Sequence, residues 1–409
     1  MVKINPYYLD LPNTYLFSEV GRRAREYQAR NPGVRLLRLG VGNTTEPLPP
    51  TVIAGLHRGV DRLAGAATYT GYGDDLGDAR LRQRIAEVKY RARGVEVAVD
   101  EVFISDGAKP DTANIQTIFS QDALVAVQDP AYPVYVDTNV TAGRTGKLLP
   151  SGLYERLLYM PCRAEDDFFP ALPRGPVDLI YLCSPNNPTG AVLTRDQLGR
   201  IVEFALEKGA VILYDAAYEC FIQDPSLPRS IYEVPDARRC AIELGTFSKE
   251  AGFTGVRLGW TVVPKGMAAD AANARSLNEL WNRRTTTFFN GASNVAQEGG
   301  LAALTPEGQA ENRRVIDHYL GNAAAIREGL ESLGLTVHGG ANAPYLWLRT
   351  PGGMPSWSFF EKMLEEAHVV STPGVGFGPS GEGYMRLSAF GHRADVEAAV
   401  DSLRANLRI

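Results

Sequence analysis

The sequence predicts an α/β fold: a mainly parallel sheet covered by helices on both faces, with a smaller α+β region. Three observations carry this. Short apolar, β-prone runs recur at 102–105, 124–127, 177–183, 211–215, 240–245 and 258–263. Helical periodicity fills the gaps at 79–93, 111–119 and 194–208, and strands alternating with helices build parallel sheets. Beyond residue 305 the pattern changes to long amphipathic helices around two further apolar runs.

Composition bounds the rest. The 409 residues suffice for two to three average domains, with 44% hydrophobic and 22% charged residues. Net charge is −5, from 42 basic and 47 acidic residues, and no strongly basic segment occurs, so no nucleic-acid partner is expected. No apolar run approaches the length of a membrane span, and the N-terminus lacks a signal-peptide core, so a cytoplasmic location is expected. Cys162, Cys183, Cys220 and Cys240 lack metal-ligand spacing; Cys183 and Cys220 read as buried fillers, and no metal is expected. The five histidines do not cluster, and none is assigned to catalysis.

In chain order, residues 1–20 read as an aromatic-rich arm running into a helix near 17–30, stopped by Asn31-Pro32-Gly33. A strand at 36–41 and the loop Gly42–Pro47 follow; glycine there lets a ligand approach the backbone. After the strand at 102–105, Asp106-Gly107-Ala108-Lys109 opens a helix, whose free amides and dipole suit a phosphate. After the strand at 124–127, Pro130 and Pro133 stiffen a turn that can lay Tyr132 flat on an aromatic ring. Residues 141–176 read as irregular. Ser184–Gly190 is a tight turn at a strand's C-terminal end, where ligands gather in open α/β sheets. Thr194 and Gln197 form a capping-box pattern. Residues 268–282 read as helical, and a long helix follows from about 293. Helices at 311–333 and 357–367 surround strands at 345–348 and 384–388. Residues 1–48 complete this small domain, so the expected division is 1–48, 49–292 and 293–409.

The chemistry centres on Thr246-Phe-Ser248-Lys249, with Arg257 eight residues beyond the lysine. A lysine amine becomes a nucleophile toward carbonyls when burial or nearby cations lower its pKa. Thr246, Ser248 and Arg257 supply hydroxyls and a guanidinium for a phosphate. An aldehyde with a phosphate describes pyridoxal 5′-phosphate, although this stretch alone also reads as a surface lysine in a glycine-rich loop. Asp215 ends an apolar strand 34 residues before Lys249 and offers the carboxylate that the pyridine nitrogen requires. Tyr218, three residues further, can donate to the ring's phenolic oxygen.

The order Asn187, Asp215, Tyr218, Ser248-Lys249, Arg257, Arg386 resembles the fold-type-I aminotransferases. Tyr15–Glu19, Gly42–Pro49, Asp106–Lys109, Asp129–Asp137, Gly252–Arg257, Trp281–Arg284 and Gly376–Tyr384 resemble the LL-diaminopimelate aminotransferase family, from about residue 5 onward. The resemblance implies a mainly parallel seven-stranded sheet, and a homodimer with shared active sites. It implies that Lys249, Asp215 and Tyr218 are catalytic. Tyr72 of the partner, Ala108, Lys109, Tyr132, Asn187, Thr246, Ser248 and Arg257 join them in holding the cofactor. It gives Tyr15, Gly42, Asp75, Lys109, Tyr132, Asn187, Asn290 and Arg386 to the substrates, LL-diaminopimelate or a relative and a 2-oxo acid such as 2-oxoglutarate. Tyr15 has packing, and Arg386 a small-domain salt bridge, as the alternative role.

The chain departs from the family pattern where a substrate's distal end would be read. Asp75-Leu76 stand where the family has Glu-Gln, and Gly245 where it commonly has arginine. Trp260 and Asn294 replace tyrosines. A specialised amino acid of secondary metabolism, or β- or γ-elimination or replacement on the same cofactor, is therefore the alternative function. A non-catalytic binding protein of the same fold is a third, disfavoured by intact Lys249, Asp215, Tyr218 and Arg257.

Overall fold

A computed structural model describes residues 2–12, 15–268 and 275–409. The described strands are Leu37–Arg38 (β1), Val102–Ser105 (β2), Val125–Asp129 (β3), Leu158–Pro161 (β4), Leu179–Cys183 (β5), Val211–Asp215 (β6), Ala241–Thr246 (β7), Gly259–Val262 (β8), Val337–Gly339 (β9), Tyr345–Arg349 (β10), Val369–Val370 (β11), Thr372–Pro373 (β12) and Tyr384–Ser388 (β13). Seven of them form one sheet in the order β2-β8-β7-β6-β5-β3-β4. Every pairing from β7 to β4 is parallel, and β8 runs antiparallel to both β7 and β2. The expected α/β fold with a mainly parallel seven-stranded sheet is therefore found.

Parallel strands buried on both faces should be apolar throughout, and these are. In β5 and β6, Ile180, Leu182, Ile212 and Tyr214 enter one core; Leu179, Tyr181, Cys183 and Leu213 enter the other. A separate core surrounds the sheet β12-β13-β10-β9 and the pair β1–β11. Val20, Ala24 and Leu37 pack there with Ala323, Leu346, Phe359 and Val396, so the two chain ends share one interior. Among the described residues, no helix is long and apolar enough to cross a membrane.

Several elements differ from expectation. The helix expected from 111 begins at Ala108, because Gly107 turns the chain at φ 122° and Pro110 is tolerated in a first turn. The helix Val134–Thr141 and edge strand β4 occupy stretches read as turn and irregular chain. The Val134–Thr141 helix starts straight after Pro133, and β4 ends at Pro161, so proline punctuation hid both. The strand expected at 36–41 shrinks to β1, paired in parallel with β11. Of the helix expected at 268–282, residues 269–274 lie outside the described residues; a helix spans Leu277–Phe288. The helix expected from 311 starts at Pro306, capped by Thr305.

Because β8 is antiparallel to β7, the chain between them stays at the sheet's edge instead of crossing a face. That connection carries the short helix Phe247–Glu250, and hence Lys249, beside the C-terminal ends of β5 and β6. Such strand ends are the ligand-binding edge of an open α/β sheet.

Candidate active site

The strand ends open on a cavity of about 490 Å³, lined by Lys249, Asp215, Tyr218, Asn187, Arg257 and Arg386. Gly42, Ala108, Lys109, Tyr132, Thr246 and Ser248 also line it. The fold thus gathers twelve of the sequence-predicted residues from positions 42 to 386.

Lys249 Nζ donates to the Gly42 carbonyl at 2.5 Å. Burial, then the charges of Arg386 and Arg257, pull the amine's pKa down to about 8. A substantial neutral fraction near neutrality makes it both a nucleophile toward carbonyls and a base. Gly42 has a second reason to be glycine: a Cβ there would meet the Tyr345 hydroxyl at 2.6 Å.

Asp215 ends β6. Its carboxylate accepts from the Tyr135 hydroxyl at 2.6 Å and the Ala217 N–H at 3.0 Å. Burial raises its pKa, against these two hydrogen bonds. No cation pairs with it among the described residues, and a buried carboxylate calls for one. The protonated nitrogen of a pyridine ring is such a partner. The Tyr218 hydroxyl meets that of Tyr345 at 2.9 Å, and burial pushes its pKa well up, so it stays a neutral donor.

The opposite end is built for an anion. Gly107 caps the helix Ala108–Ile115, and a Cβ on Gly107 would lie 2.7 Å from Arg257 Nη2. Thr246 Oγ1 and Ser248 Oγ are 3.0 Å apart, and Arg257 Nη1 reaches Ser248 Oγ at 3.3 Å. Arg257 takes φ 69°, a left-handed conformation unusual for a side-chain-bearing residue and typical of ligand clamps. A helix N-terminus, two hydroxyls and one guanidinium form a phosphate cradle. A lone acid at one end, the cradle at the other and a buried amine between them fit pyridoxal 5′-phosphate.

Arg386 is buried on β13. Its Nη1 donates to Asn187 Oδ1 at 2.8 Å and its Nη2 to the Gly40 carbonyl at 2.7 Å. The rings of Tyr345, Phe377 and Phe17 lie 4.5, 4.8 and 5.3 Å from the guanidinium carbon. Its Nε has no partner, and no carboxylate pairs with it among the described residues. The small-domain salt bridge weighed for this residue is therefore not formed. Lys109 Nζ sits 5.7 Å from the Tyr15 ring and 5.8 Å from the Tyr132 ring.

Tyr15 lines an adjoining cavity and not this one, and Tyr72, Asp75 and Asn290 do not line this one either. Tyr72 is 82% exposed. The expected assignment gave Tyr72 to the cofactor and Asp75 and Asn290 to the substrate, all across a subunit boundary. Sequence reasoning missed Tyr135, Tyr345 and Phe17. Tyr135 lies three residues after Tyr132 on the overlooked helix, and that spacing was the available signal. Tyr345 and Phe17 read as ordinary apolar positions and carried no signal.

Residues 34–403 match the family model for aminotransferase class I and II. The chain is similar to the L,L-diaminopimelate aminotransferase of Chlamydomonas reinhardtii, at 46% identity and TM-score 0.93 over 98% of both chains. It is also similar to the aromatic aminotransferase of Pyrococcus horikoshii, at 26% identity and TM-score 0.78 over 92% of this chain and 97% of that one. The aspartate aminotransferase of Thermus thermophilus with maleate, at 22% identity and TM-score 0.81 over 99% of each, shares the fold. Sequence and architecture agree over nearly the whole length, and the chain belongs to the class I and II aminotransferases: it is a pyridoxal-phosphate-dependent enzyme of transamination.

Proposed function

We propose that the enzyme moves an amino group between LL-diaminopimelate, or a related amino acid with a polar distal end, and a 2-oxo acid such as 2-oxoglutarate. The reading is carried by the likeness to the Chlamydomonas enzyme, at 46% identity over 98% of both chains. The same likeness supports a place in lysine biosynthesis, and a cytoplasmic location is part of the proposal.

Pyridoxal phosphate, when bound, draws electrons from the substrate Cα and carries the amino group between the two half-reactions. Lys249 would hold the cofactor and, once displaced by the substrate amine, would serve as the base that takes the Cα proton and the acid that delivers it to the cofactor's aldehyde-derived carbon. The Gly42 carbonyl steadies that free amine. Asp215 keeps the ring nitrogen protonated. Tyr218 and Asn187 hydrogen-bond the phenolic oxygen, and Tyr132 stacks on the ring. Ala108, Lys109, Thr246, Ser248 and Arg257 hold the phosphate. Arg386 pairs with the substrate α-carboxylate, supported by Asn187, and Tyr15 and Gly42 touch the substrate.

We assign Tyr72 to the partner subunit's phosphate site, and Asp75 and Asn290 to its substrate site. The assembly is then a homodimer with shared sites. The exposure of Tyr69 and Tyr72, at 63% and 82%, supports a covering partner. The joining of residues 1–48 with the C-terminal part in one small domain is supported by the core that residues from 20–39 share with residues from 323–407, while Ala296, Ala303 and Leu304 pack in the larger core.

The test is a half-reaction screen. Purified holoenzyme is mixed with single amino acids, and conversion of the visible cofactor band to its amine form is followed. Fast conversion by LL-diaminopimelate is expected. Asp75 and Leu76 favour one second reading, a specialised amino acid or elimination chemistry. Conversion by another amino acid alone, or release of a β- or γ-substituent, would decide for it.

A further inference from the structure

Lys249 and Tyr218 each ride on a single turn of helix: Lys249 within Phe247–Glu250, and Tyr218 as the residue capping Glu219–Phe221. Turns this short are not stable alone, so tertiary contacts must set where the two side chains stand. The residue after each is a glutamate, and both glutamates meet one buried ammonium. Lys89 Nζ donates to Glu219 Oε1 at 2.9 Å and to Glu250 Oε1 at 2.5 Å. Arg93 Nη2 donates to the other oxygen of Glu219 at 2.9 Å. These four residues line a separate cavity of about 160 Å³, and none of them lines the active-site cavity.

The chain reaches this spot by an irregular path. The helix Ala79–Ile85 widens into a π turn over Ala86–Tyr90 and tightens into a 3-10 turn over Arg91–Arg93. Consecutive residues of a regular helix point about 100° apart. Here Lys89 and Tyr90 are both buried, and Tyr90 anchors the wide turn on Glu243 and Trp260. Wide turns of this kind recur at functional sites. Burial pushes the Lys89 pKa down, but Glu219 and Glu250 outweigh it and the net change is upward, so the charge is kept. Against the same push of burial, Arg93 and Lys89 hold the Glu219 carboxyl below the usual carboxylate range. Buried ion pairs add little net stability, and well-packed apolar replacements are often as stable. What this one supplies is geometry: a single ammonium ties together the neighbours of both catalytic residues.

We propose that Lys89 is a positioning residue for transamination: by bridging Glu219 and Glu250 it locks the turn of Tyr218 to the turn of Lys249, and so fixes the amine relative to the tyrosine hydroxyl. Misplacing a reacting group by about 1 Å can cost about a hundredfold in rate. The proposal rests on the roles given above to Lys249 and Tyr218.

The double variant Lys89→Met/Glu250→Gln removes the bridge and leaves Glu219 paired with Arg93, so that no buried charge is stranded. It is compared with Lys89→Arg and with wild type, cofactor-loaded and cofactor-free. In the double variant kcat should fall about tenfold or more, with KM changed by less than about threefold. The pH midpoint of the visible cofactor band should move. In the cofactor-free protein the Lys249 amine should titrate above its wild-type pKa of about 8, read by peptide mass mapping from the pH dependence of its acetylation. Lys89→Arg, which can keep both ion pairs, should retain most of the activity and both pH values. A double variant that melts at lower temperature yet keeps kcat and both pH values would overturn the proposal. So would loss of folding in both variants, since either outcome makes the network structural only. A wild type with no visible cofactor band would overturn the roles of Lys249 and Tyr218 as well; with the band present, failure touches Lys89 alone.

Discussion

The Tyr135 hydroxyl donates to Oδ2 of Asp215 at 2.6 Å, and both residues are buried at the cavity wall. Burial drives the carboxyl pKa up, and this hydrogen bond with that from Ala217 pulls it down. The carboxylate must stay ionised to keep the cofactor's ring nitrogen protonated. Tyr135→Phe removes a hydrogen bond to a charged group, worth about 1.5–3 kcal/mol. A drop in kcat of about ten- to a hundredfold is expected. The signature is in the pH profile. With the Asp215 pKa higher, the acid limb of kcat should move to higher pH. An acid limb that stays in place would reduce Tyr135 to a packing residue.

Lys249 ties the chemistry to stability. In the cofactor-free protein its pKa falls from 10.5 unfolded to about 8 folded. Between those values the unfolded chain holds a proton that the folded chain has lost, so stability rises with pH across that window. Below it, the folded state carries the full burden of a buried ammonium beside Arg386 and Arg257. Lys249→Met should therefore raise the Tm of the cofactor-free protein near neutrality. The gain should shrink as pH climbs toward 10.5. The same variant should lose the visible cofactor band and all turnover. Thermal melts across that range check the first claim, and absorbance the second.

The phosphate cradle depends on a glycine that a methyl group would spoil twice. Gly107 sits at φ 122°, and its Cβ would press on Arg257 Nη2 at 2.7 Å. Gly107→Ala must strain the turn and displace the guanidinium that holds the phosphate. A cofactor Kd at least tenfold higher, about 1.4 kcal/mol, is expected in an absorbance titration. An unchanged Kd would mean that the phosphate is held elsewhere.

Much of this site was legible because its chemistry is written in residue types at strand ends. Lys249, Asp215, Asn187 and Arg386 each carry a functional group in a recognisable turn or strand, and the fold brings all four to one cavity. What stayed hidden has a common cause. Tyr135 and Tyr345 act through hydroxyls on otherwise apolar faces, so periodicity alone reads them as core. The edge strand β4 has only one fully buried residue of four, too little pattern to stand out. The start of the Ala108–Ile115 helix was misread by three residues because Pro110 looks like a barrier, though a first turn accepts it.

Two departures from the family pattern turn out to be one structural event. Gly245 and Trp260 are paired across β7 and β8, and a Cβ on Gly245 would fall 2.2 Å from the indole ring. The indole thus occupies the space that a larger side chain at 245 would need. Its Nε1 donates to the Tyr90 hydroxyl at 2.9 Å, which in turn donates to the buried Glu243 at 2.9 Å. Gly245→Ala should overpack the core and destabilise the protein by about 1–3 kcal/mol. Trp260→Tyr should also be destabilising, since it removes the ring and its hydrogen bond. Together the two changes relieve the clash, so the double variant should lose less stability than the two single losses combined, by about 1 kcal/mol or more. Urea denaturation of the four proteins measures this coupling. Strict additivity would show that the two positions are independent, and that the glycine answers to something other than the tryptophan.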